Sequence, residues 1–196
     1  VGFCREGRRY VPVELVDVAG LVPDAHEGKG LGNQFLTDLN EADVLVHVVD
    51  FSGTTDAEGE ATEGHDPRDD IDFLERELDM WYLGVLEKGI EKVARAYDRP
   101  TPDEEVQPAR ILAEQLSAFG ITDDGVKRVV RSLDLSLEPT AWDADEREAV
   151  ARETRRRTKP MVIAANKMDT PAAQENYADI TSDSDYDHLT IVPASA

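Results

Sequence analysis

The sequence predicts an α/β fold in which a doubly wound, mostly parallel sheet is incomplete and carries an all-α insert. Short apolar runs of the kind buried in parallel sheets occur near both ends of the chain, at residues 10–17, 44–50, 161–165 and 189–193. The intervening residues 67–158 instead have apolar side chains at helical spacing. Because strands joined by long crossovers form parallel sheets, we expect a core built from 1–66 and 159–196 that this insert interrupts.

The first part of the core, 1–66, is predicted to hold two strands that each end in an acidic residue. Residues 10–17 form the first strand, and a Gly-rich loop follows it, before a short helix around 33–40. The second strand, 44–50, is a nearly continuous apolar run, which suits a strand buried on both faces. His47 on this strand is expected to pack in the core.

The insert is predicted to begin with a long helix that Pro67 opens. Its apolar side chains recur at three- and four-residue steps as far as Tyr97, and three prolines then end the pattern. Trp81 and Tyr82 lie on this apolar stripe, so we expect them to pack within the insert. Three further helices are predicted, at 109–119, 124–133 and 143–158.

The last part of the core returns to the strand pattern. Residues 161–165 form a buried strand that ends at Asn166, and 189–193 form the final strand. The segment between them, 170–187, is polar and acidic, and its end is predicted to be a solvated loop.

Acidic residues outnumber basic residues two to one. There are 42 Asp and Glu residues against 21 Lys and Arg, and the formal net charge is −21. Such a surface repels the nucleic acid backbone and anionic membranes, so neither DNA nor a membrane is expected as a partner. Carboxylates spread along the chain favour adaptation to a saline cytoplasm, with an ordinary acidic protein as the alternative.

The remaining composition is typical of a cytoplasmic protein. The single cysteine, Cys4, permits neither an internal disulfide nor a cysteine metal cage. No apolar run approaches the roughly 18 residues of a membrane span, and no signal peptide opens the chain. The sequence begins with Val1 rather than Met and stops just after a predicted strand, so we expect it to be a fragment.

Candidate ligand-binding residues follow the predicted strands, because ligands of open α/β sheets bind beyond the carboxyl ends of the strands. After the first strand, Asp17 can hold Mg²⁺ through a water molecule. The backbone N–H of Gly20 can approach a terminal phosphate, since glycine has no Cβ in the way. This spacing alone is a weak signal, and an ordinary turn is the alternative.

A more specific pattern, Asn166, Lys167 and Asp169, follows the third strand. The aspartate can accept two hydrogen bonds from the ring N–H and amino group that guanine presents side by side, a donor pair that adenine lacks. The asparagine can bond the far edge of the purine, and the lysine stem can lie across its face. After the last strand, Ser195 and Ala196 are small enough for a backbone N–H to meet the guanine carbonyl. Together these residues predict a guanine-nucleotide site.

Sequence stretches along nearly the whole chain also carry a family resemblance. They are residues 17–23, 25–36, 42–43, 48–50, 52–53, 56, 70–77 and 159–167. The most specific are Gly-Leu-Val-Pro at 20–23 and Ala-His-Glu-Gly-Lys-Gly-Leu-Gly-Asn at 25–33. On these residues the chain resembles the Obg-related, translation-factor-like GTPases, and specifically the YchF type in its archaeal form.

The resemblance implies a P-loop-NTPase-like fold that binds GTP with Mg²⁺, hydrolyses it slowly and associates with the ribosome through its RNA or proteins. Some relatives with an altered base-reading motif prefer ATP, whereas Asp169 favours guanine here. The family's Gly-rich phosphate loop would lie before Val1, and its C-terminal domain after Ala196. We therefore expect this chain alone to bind nucleotide weakly and to be inactive.

The residue that assists hydrolysis does not follow the pattern of many GTPases. Many GTPases place a glutamine after Asp-x-x-Gly to orient the attacking water, but that position is Leu21 here. His26 is the candidate catalytic residue, because an imidazole can orient water or accept its proton. Alternatively, His26 is an ordinary surface-loop residue. In that case a potassium ion or a group supplied by a partner would assist hydrolysis. A module that binds nucleotide with negligible hydrolysis also stays open.

The remaining histidines and a basic run are the other candidate binding residues. His65 and His188 are distant in sequence from one another and from Cys4, so no zinc site is predicted. The basic run 155–157 is expected either to contact ribosomal RNA or simply to favour the C-terminus of its helix.

Overall fold

The computed structural model describes residues 3–5, 7–10, 13–17, 42–56, 59–98 and 106–196. The strands in these residues are β1 Phe3–Arg5, β2 Arg8–Tyr10, β3 Leu45–Asp50, β4 Met161–Asn166 and β5 Thr190–Pro193. The α-helices are α1 Pro67–Asp98, α2 Pro108–Gln115, α3 Asp123–Ser132, α4 Ala144–Thr158 and α5 Pro171–Thr181. The predicted Gly-rich loop and the helix around 33–40 lie outside the described residues.

Strands β3, β4 and β5 form one parallel sheet, in that order. Helices α1 to α4 of the described residues lie along the chain between β3 and β4, and α5 lies between β4 and β5. Parallel neighbours need crossovers of this kind, and the predicted α/β class is confirmed. The register pairs Asp50 with Asn166 and Ala165 with Pro193, so the carboxyl ends of the three strands meet at one edge. Strands β1 and β2 pair separately as an antiparallel hairpin.

Among the described elements, α1 and α5 cover one face of the parallel sheet. Val49 of β3 and Ile163 of β4 are buried on this face. They pack against side chains of α1 and α5, which include Ile71, Leu78, Ala173 and Ile180. On the opposite face, Val46 and Val48 are 56% and 63% exposed. The expectation that 44–50 is buried on both faces is wrong for the described residues, because none of their elements packs on that second face.

Residues 13–17 do not join the sheet. They have no regular secondary structure, and Val13 and Leu15 are exposed. The strand predicted at 10–17 is therefore wrong over this stretch, although Tyr10 ends β2. An apolar run becomes a strand where an edge offers hydrogen-bond partners, and no described strand pairs with these residues.

The helix α1 is 32 residues long and contributes to two cores. Its first turns pack on the sheet, whereas Tyr82, Leu86 and Val93 belong to a second apolar cluster shared with α2, α3 and α4. The Tyr82 ring stacks on Phe119 with centroids 3.9 Å apart, and Trp81 meets Phe119 edge-on at 4.7 Å. This confirms that both aromatic residues of the stripe pack within the helical part.

The helices predicted in this part of the chain are confirmed with small shifts in their bounds, and side-chain caps explain several starts. Thr122 accepts from a backbone N–H three residues on and begins α3. Asp143 and Glu146 form a reciprocal capping box at the start of α4. Thr170 caps α5 in the same way as Thr122. Helix α5 occupies much of 170–187, for which the sequence predicted only a polar segment.

A buried ion network joins α4 to α1. Arg155 is 2% exposed, and its guanidinium donates to Asp79 Oδ1 and Glu75 Oε1, each at 2.6 Å. Burial alone would raise the pKa of Glu75, but Arg155 and His188 hold that pKa below its ordinary value. The basic run 155–157 is therefore not available as a whole for RNA contact, because its first member is buried and paired with acids of α1.

Candidate functional site

The turns that follow β4 and β5 are hydrogen-bonded to one another. The backbone N–H of Ala194 donates to the Ala165 carbonyl at 2.8 Å, which extends the strand pairing by one residue. The N–H of Met168 then donates to the Ala194 carbonyl at 3.0 Å. These bonds bring the polar residues after the two strands into one group at the carboxyl edge of the sheet.

Four of the residues predicted to recognise guanine are in contact in this group. The Ser195 hydroxyl donates to Asp169 Oδ1 at 2.8 Å, and the backbone N–H of Ala196 donates to Asn166 Oδ1 at 3.1 Å. Asp169 is exposed, and among the described residues Ser195 is the donor that its carboxylate meets. Because an ionised carboxylate has about four acceptor positions, Asp169 keeps capacity for two more donors.

Lys167, the fifth residue of the group, crosses from β4 to β3. Its backbone has a left-handed conformation with φ of 63°, which is uncommon for a residue other than glycine. Its Nζ donates to Asp50 Oδ2 at 2.9 Å and to Thr54 Oγ1 at 3.0 Å. The carbonyl of Lys167 accepts from the Thr170 hydroxyl at 2.9 Å, so the turn is tied to the cap of α5. The aliphatic stem therefore spans the ends of two neighbouring strands.

Asp50 received no role from the sequence, yet it is the most heavily bonded carboxylate at this edge. It accepts from the Ser52 N–H at 2.9 Å, and from the hydroxyls of Ser52 at 2.6 Å, Thr54 at 3.0 Å and Thr55 at 2.6 Å. Burial works against ionisation, but these bonds and Lys167 hold the pKa of Asp50 well below its usual range. The cluster of hydroxyl residues directly after the strand was the signal available in the sequence.

Of the residues predicted to serve the phosphates and the hydrolysis step, only Asp17 lies within the described part of the chain. Asp17 is exposed, and no contact joins it to the group around Asn166 within the described residues. Gly20 and His26 lie outside those residues. No group of three acids, histidines or cysteines in the described part of the chain is placed to hold a metal ion by itself.

The other histidines have separate surroundings. His47 is half-buried, and burial lowers its pKa. His65 Nε2 lies 3.0 Å from Asp70 Oδ1, a contact that raises the pKa of His65. His188 Nε2 lies 2.9 Å from Glu75 Oε2. Among the helices of the described ranges, none combines the length and apolar character that a membrane crossing would require.

Comparison with known proteins finds similarity to GTP-binding proteins. The family model of the 50S ribosome-binding GTPase matches residues 5–88. An uncharacterized GTP-binding protein of Methanocaldococcus jannaschii is 43% identical over 193 residues, 98% of this chain and 47% of that protein. One from Schizosaccharomyces pombe is 41% identical over 193 residues, 98% of this chain and 46% of that protein. The GTPase Obg of Shouchella clausii is 33% identical over 138 residues, 68% of this chain and 30% of that protein.

A solved structure extends the similarity to the fold. The crystal structure of a GTP-binding protein from Pyrococcus horikoshii OT3 has a TM-score of 0.78 and 38% identity, covering 99% of this chain and 51% of that one. The present chain thus spans about half the length of the relatives that match nearly all of it. In sequence and in fold, the chain is therefore similar to GTP-binding proteins of the Obg-like type.

Proposed function

We propose that the protein is a Mg²⁺-dependent GTP-binding switch of the YchF type that hydrolyses GTP slowly and associates with the ribosome. The observation that supports this most is the joined pair of turns, in which Ser195 meets Asp169 and Ala196 meets Asn166. The exposed Asp169 carboxylate keeps acceptor positions for the two adjacent donors of guanine. A purine on this edge would lie beside the fixed stem of Lys167.

On the phosphate side, Asp17 would hold Mg²⁺ through a water molecule, and the Gly20 N–H would meet the terminal phosphate. An exposed carboxylate suits this ion, because Mg²⁺ prefers oxygen ligands and is commonly bound by one or two carboxylates plus substrate phosphates. The ion would neutralise charge on the phosphates during hydrolysis. A potassium ion is an alternative source of positive charge there.

We also propose how the chain divides into domains and in which kind of cell it works. The nucleotide core would comprise 1–66 and 159–196, and the helical insert 67–158. The net charge of −21 supports an archaeal protein adapted to a saline cytoplasm, in which excess carboxylates keep the surface hydrated. In this setting the insert, or the basic residues near its end, would meet ribosomal protein or RNA.

The function is tested with the protein at its full natural length. We expect it to bind GTP and GDP in preference to ATP in the presence of Mg²⁺, and to release phosphate from GTP slowly. Titration calorimetry and a phosphate-release assay, run with and without ribosomes, measure both properties. A preference for ATP, or an absence of guanine-nucleotide binding, would contradict the proposal.

Replacing His26 with alanine is expected to slow GTP turnover by about 10²-fold, because general acid–base groups commonly contribute at least that much. GTP and GDP affinity should stay within about twofold of the unmodified protein, since His26 is proposed to act on the attacking water. Single-turnover phosphate release and GDP titration separate the two effects. Unchanged turnover would exclude His26 as the catalytic residue.

A second candidate is a binding module in which nucleotide only biases docking on a ribosomal partner. Leu21 supports it, because leucine stands where many GTPases have the glutamine that orients water. Nucleotide-dependent ribosome binding without measurable phosphate release would favour this candidate.

A further inference from the structure

Asp50 has more bonding partners than a turn requires. Four of its five hydrogen bonds come from Ser52, Thr54 and Thr55, within five residues along the chain, and these are enough to close the turn after β3. The fifth comes from Lys167, 117 residues away and on the neighbouring strand end. Asp50 therefore links its own turn to the turn that carries the candidate guanine-recognition residues.

The sheet register makes this link short and specific. Asp50 and Asn166 are register partners on β3 and β4, so the carboxylate lies beside the residue that precedes Lys167. The Lys167 backbone is fixed in a left-handed turn, and its Nζ is held by Asp50 and Thr54. A free lysine side chain occupies many rotamers, so an unheld stem would have to be ordered when a ligand packs on it. Here both ends of the stem are ordered before any ligand arrives.

We propose that Asp50 is a positioning residue for nucleotide binding, which acts through Lys167 by holding its stem in place as a wall of the base pocket. The inference rests on the function proposed above and adds a residue to that site. In the alternative interpretation, Asp50 only closes the turn after β3 and Lys167 finds its place without it. The two interpretations differ in whether the effect of Asp50 on affinity requires Lys167.

A double-mutant cycle on the full-length protein distinguishes them, with GDP as the titrated ligand because it is not hydrolysed. Asp50→Asn and Lys167→Met are made singly and together. We expect Asp50→Asn to weaken GDP binding about tenfold, which is about 1.4 kcal/mol. In the Lys167→Met background the same change should alter GDP affinity by less than about twofold, because the residue through which Asp50 acts is gone.

The matched control is Asp72→Asn on α1. Asp72 accepts a hydrogen bond from the Tyr186 hydroxyl at 3.0 Å and contacts neither Lys167 nor the strand ends among the described residues. An asparagine there keeps an acceptor for Tyr186, so GDP affinity should not change. Thermal melting of each variant reports any loss of folding separately from the loss of affinity.

If Asp50→Asn does not fold, Thr54→Val provides the second test of whether holding the Lys167 stem strengthens GDP binding. This change removes the other acceptor of Lys167 Nζ and leaves Asp50 in place. We then expect GDP binding to weaken with Lys167 present and to be unaffected in the Lys167→Met background. Equal losses in both backgrounds, or no loss in either, would overturn the positioning role while the proposed function stands. A full-length unmodified protein that binds no guanine nucleotide would overturn both.

Discussion

Replacing Arg155 with alanine is expected to lower the free energy of unfolding by about 3–5 kcal/mol, because the change removes the buried cation that two carboxylates share. Within the described residues, Asp79 then keeps only the longer contact with half-exposed Arg152, and Glu75 keeps only His188. Arg155 is bonded to Asp79 and Glu75 at 2.6 Å, and both acids lie on α1. Urea denaturation followed by circular dichroism, on the full-length protein, measures the change.

A matched arginine on the surface serves as the control. Arg95 Nη2 lies 2.9 Å from Glu91 Oε2 on α1, and both side chains are largely exposed. Arg95→Ala should cost about 0.5 kcal/mol or less, as is typical of an exposed pair four residues apart on a helix. Similar small losses for both variants would show that the buried network does not hold α4 to α1.

Replacing Asp169 with alanine is expected to weaken GTP binding by about 1–3 kcal/mol, or up to roughly 150-fold. The variant loses the acceptor for the ring N–H and amino group of guanine. ATP affinity should not change, because adenine does not present that donor pair. The ratio of GTP to ATP affinity should therefore fall by nearly the whole factor.

The control for this change is Asp187→Ala, which removes an exposed acid in the segment before β5. Its effect on the affinity of either nucleotide should be less than about twofold. Equilibrium titration with both nucleotides measures the four affinities. Equal losses of GTP and ATP affinity in Asp169→Ala would indicate a general defect of the site rather than loss of base recognition.

The sequence was most informative where strands end. Two apolar runs close to the C-terminal end of the chain are each followed by short polar groups, and parallel strands place such groups at the same edge. Contact between Asp169 and Ser195, and between Asn166 and Ala196, follows from that rule together with the spacing of the residues. The hydroxyl residues after Asp50 were a local signal for its turn, but the sequence did not indicate its bond to Lys167, which lies 117 residues along the chain.

The structural features that the sequence did not predict depend on residues that lie far away along the chain. An apolar run such as β3 does not reveal whether one face or two will be covered, since the covering layers come from elsewhere in the chain. Residues 13–17 have strand-like composition but lack a pairing edge among the described residues. Arg155 resembled an ordinary basic residue at a helix C-terminus, although its acidic partners are 76 and 80 residues away.

Helix α5 was missed for a different reason. Nearly half of its residues are apolar, but most of these are alanines, so no clear apolar stripe indicates a helix. Thr170 followed by Pro171 was a local start signal, because threonine caps helices and proline is favoured at their first position. Ala173 and Ile180, two of its apolar side chains, are fully buried against the sheet.

The most direct test of guanine recognition by Asp169 is the affinity of the full-length Asp169→Asn variant for xanthosine triphosphate and GTP. An asparagine amide can donate to the ring carbonyl that xanthine has where guanine has its amino group. We predict that the ratio of xanthosine triphosphate to GTP affinity rises at least about tenfold over that of the unmodified protein. An unchanged ratio would contradict the assignment of this edge of the sheet as the base-recognition site.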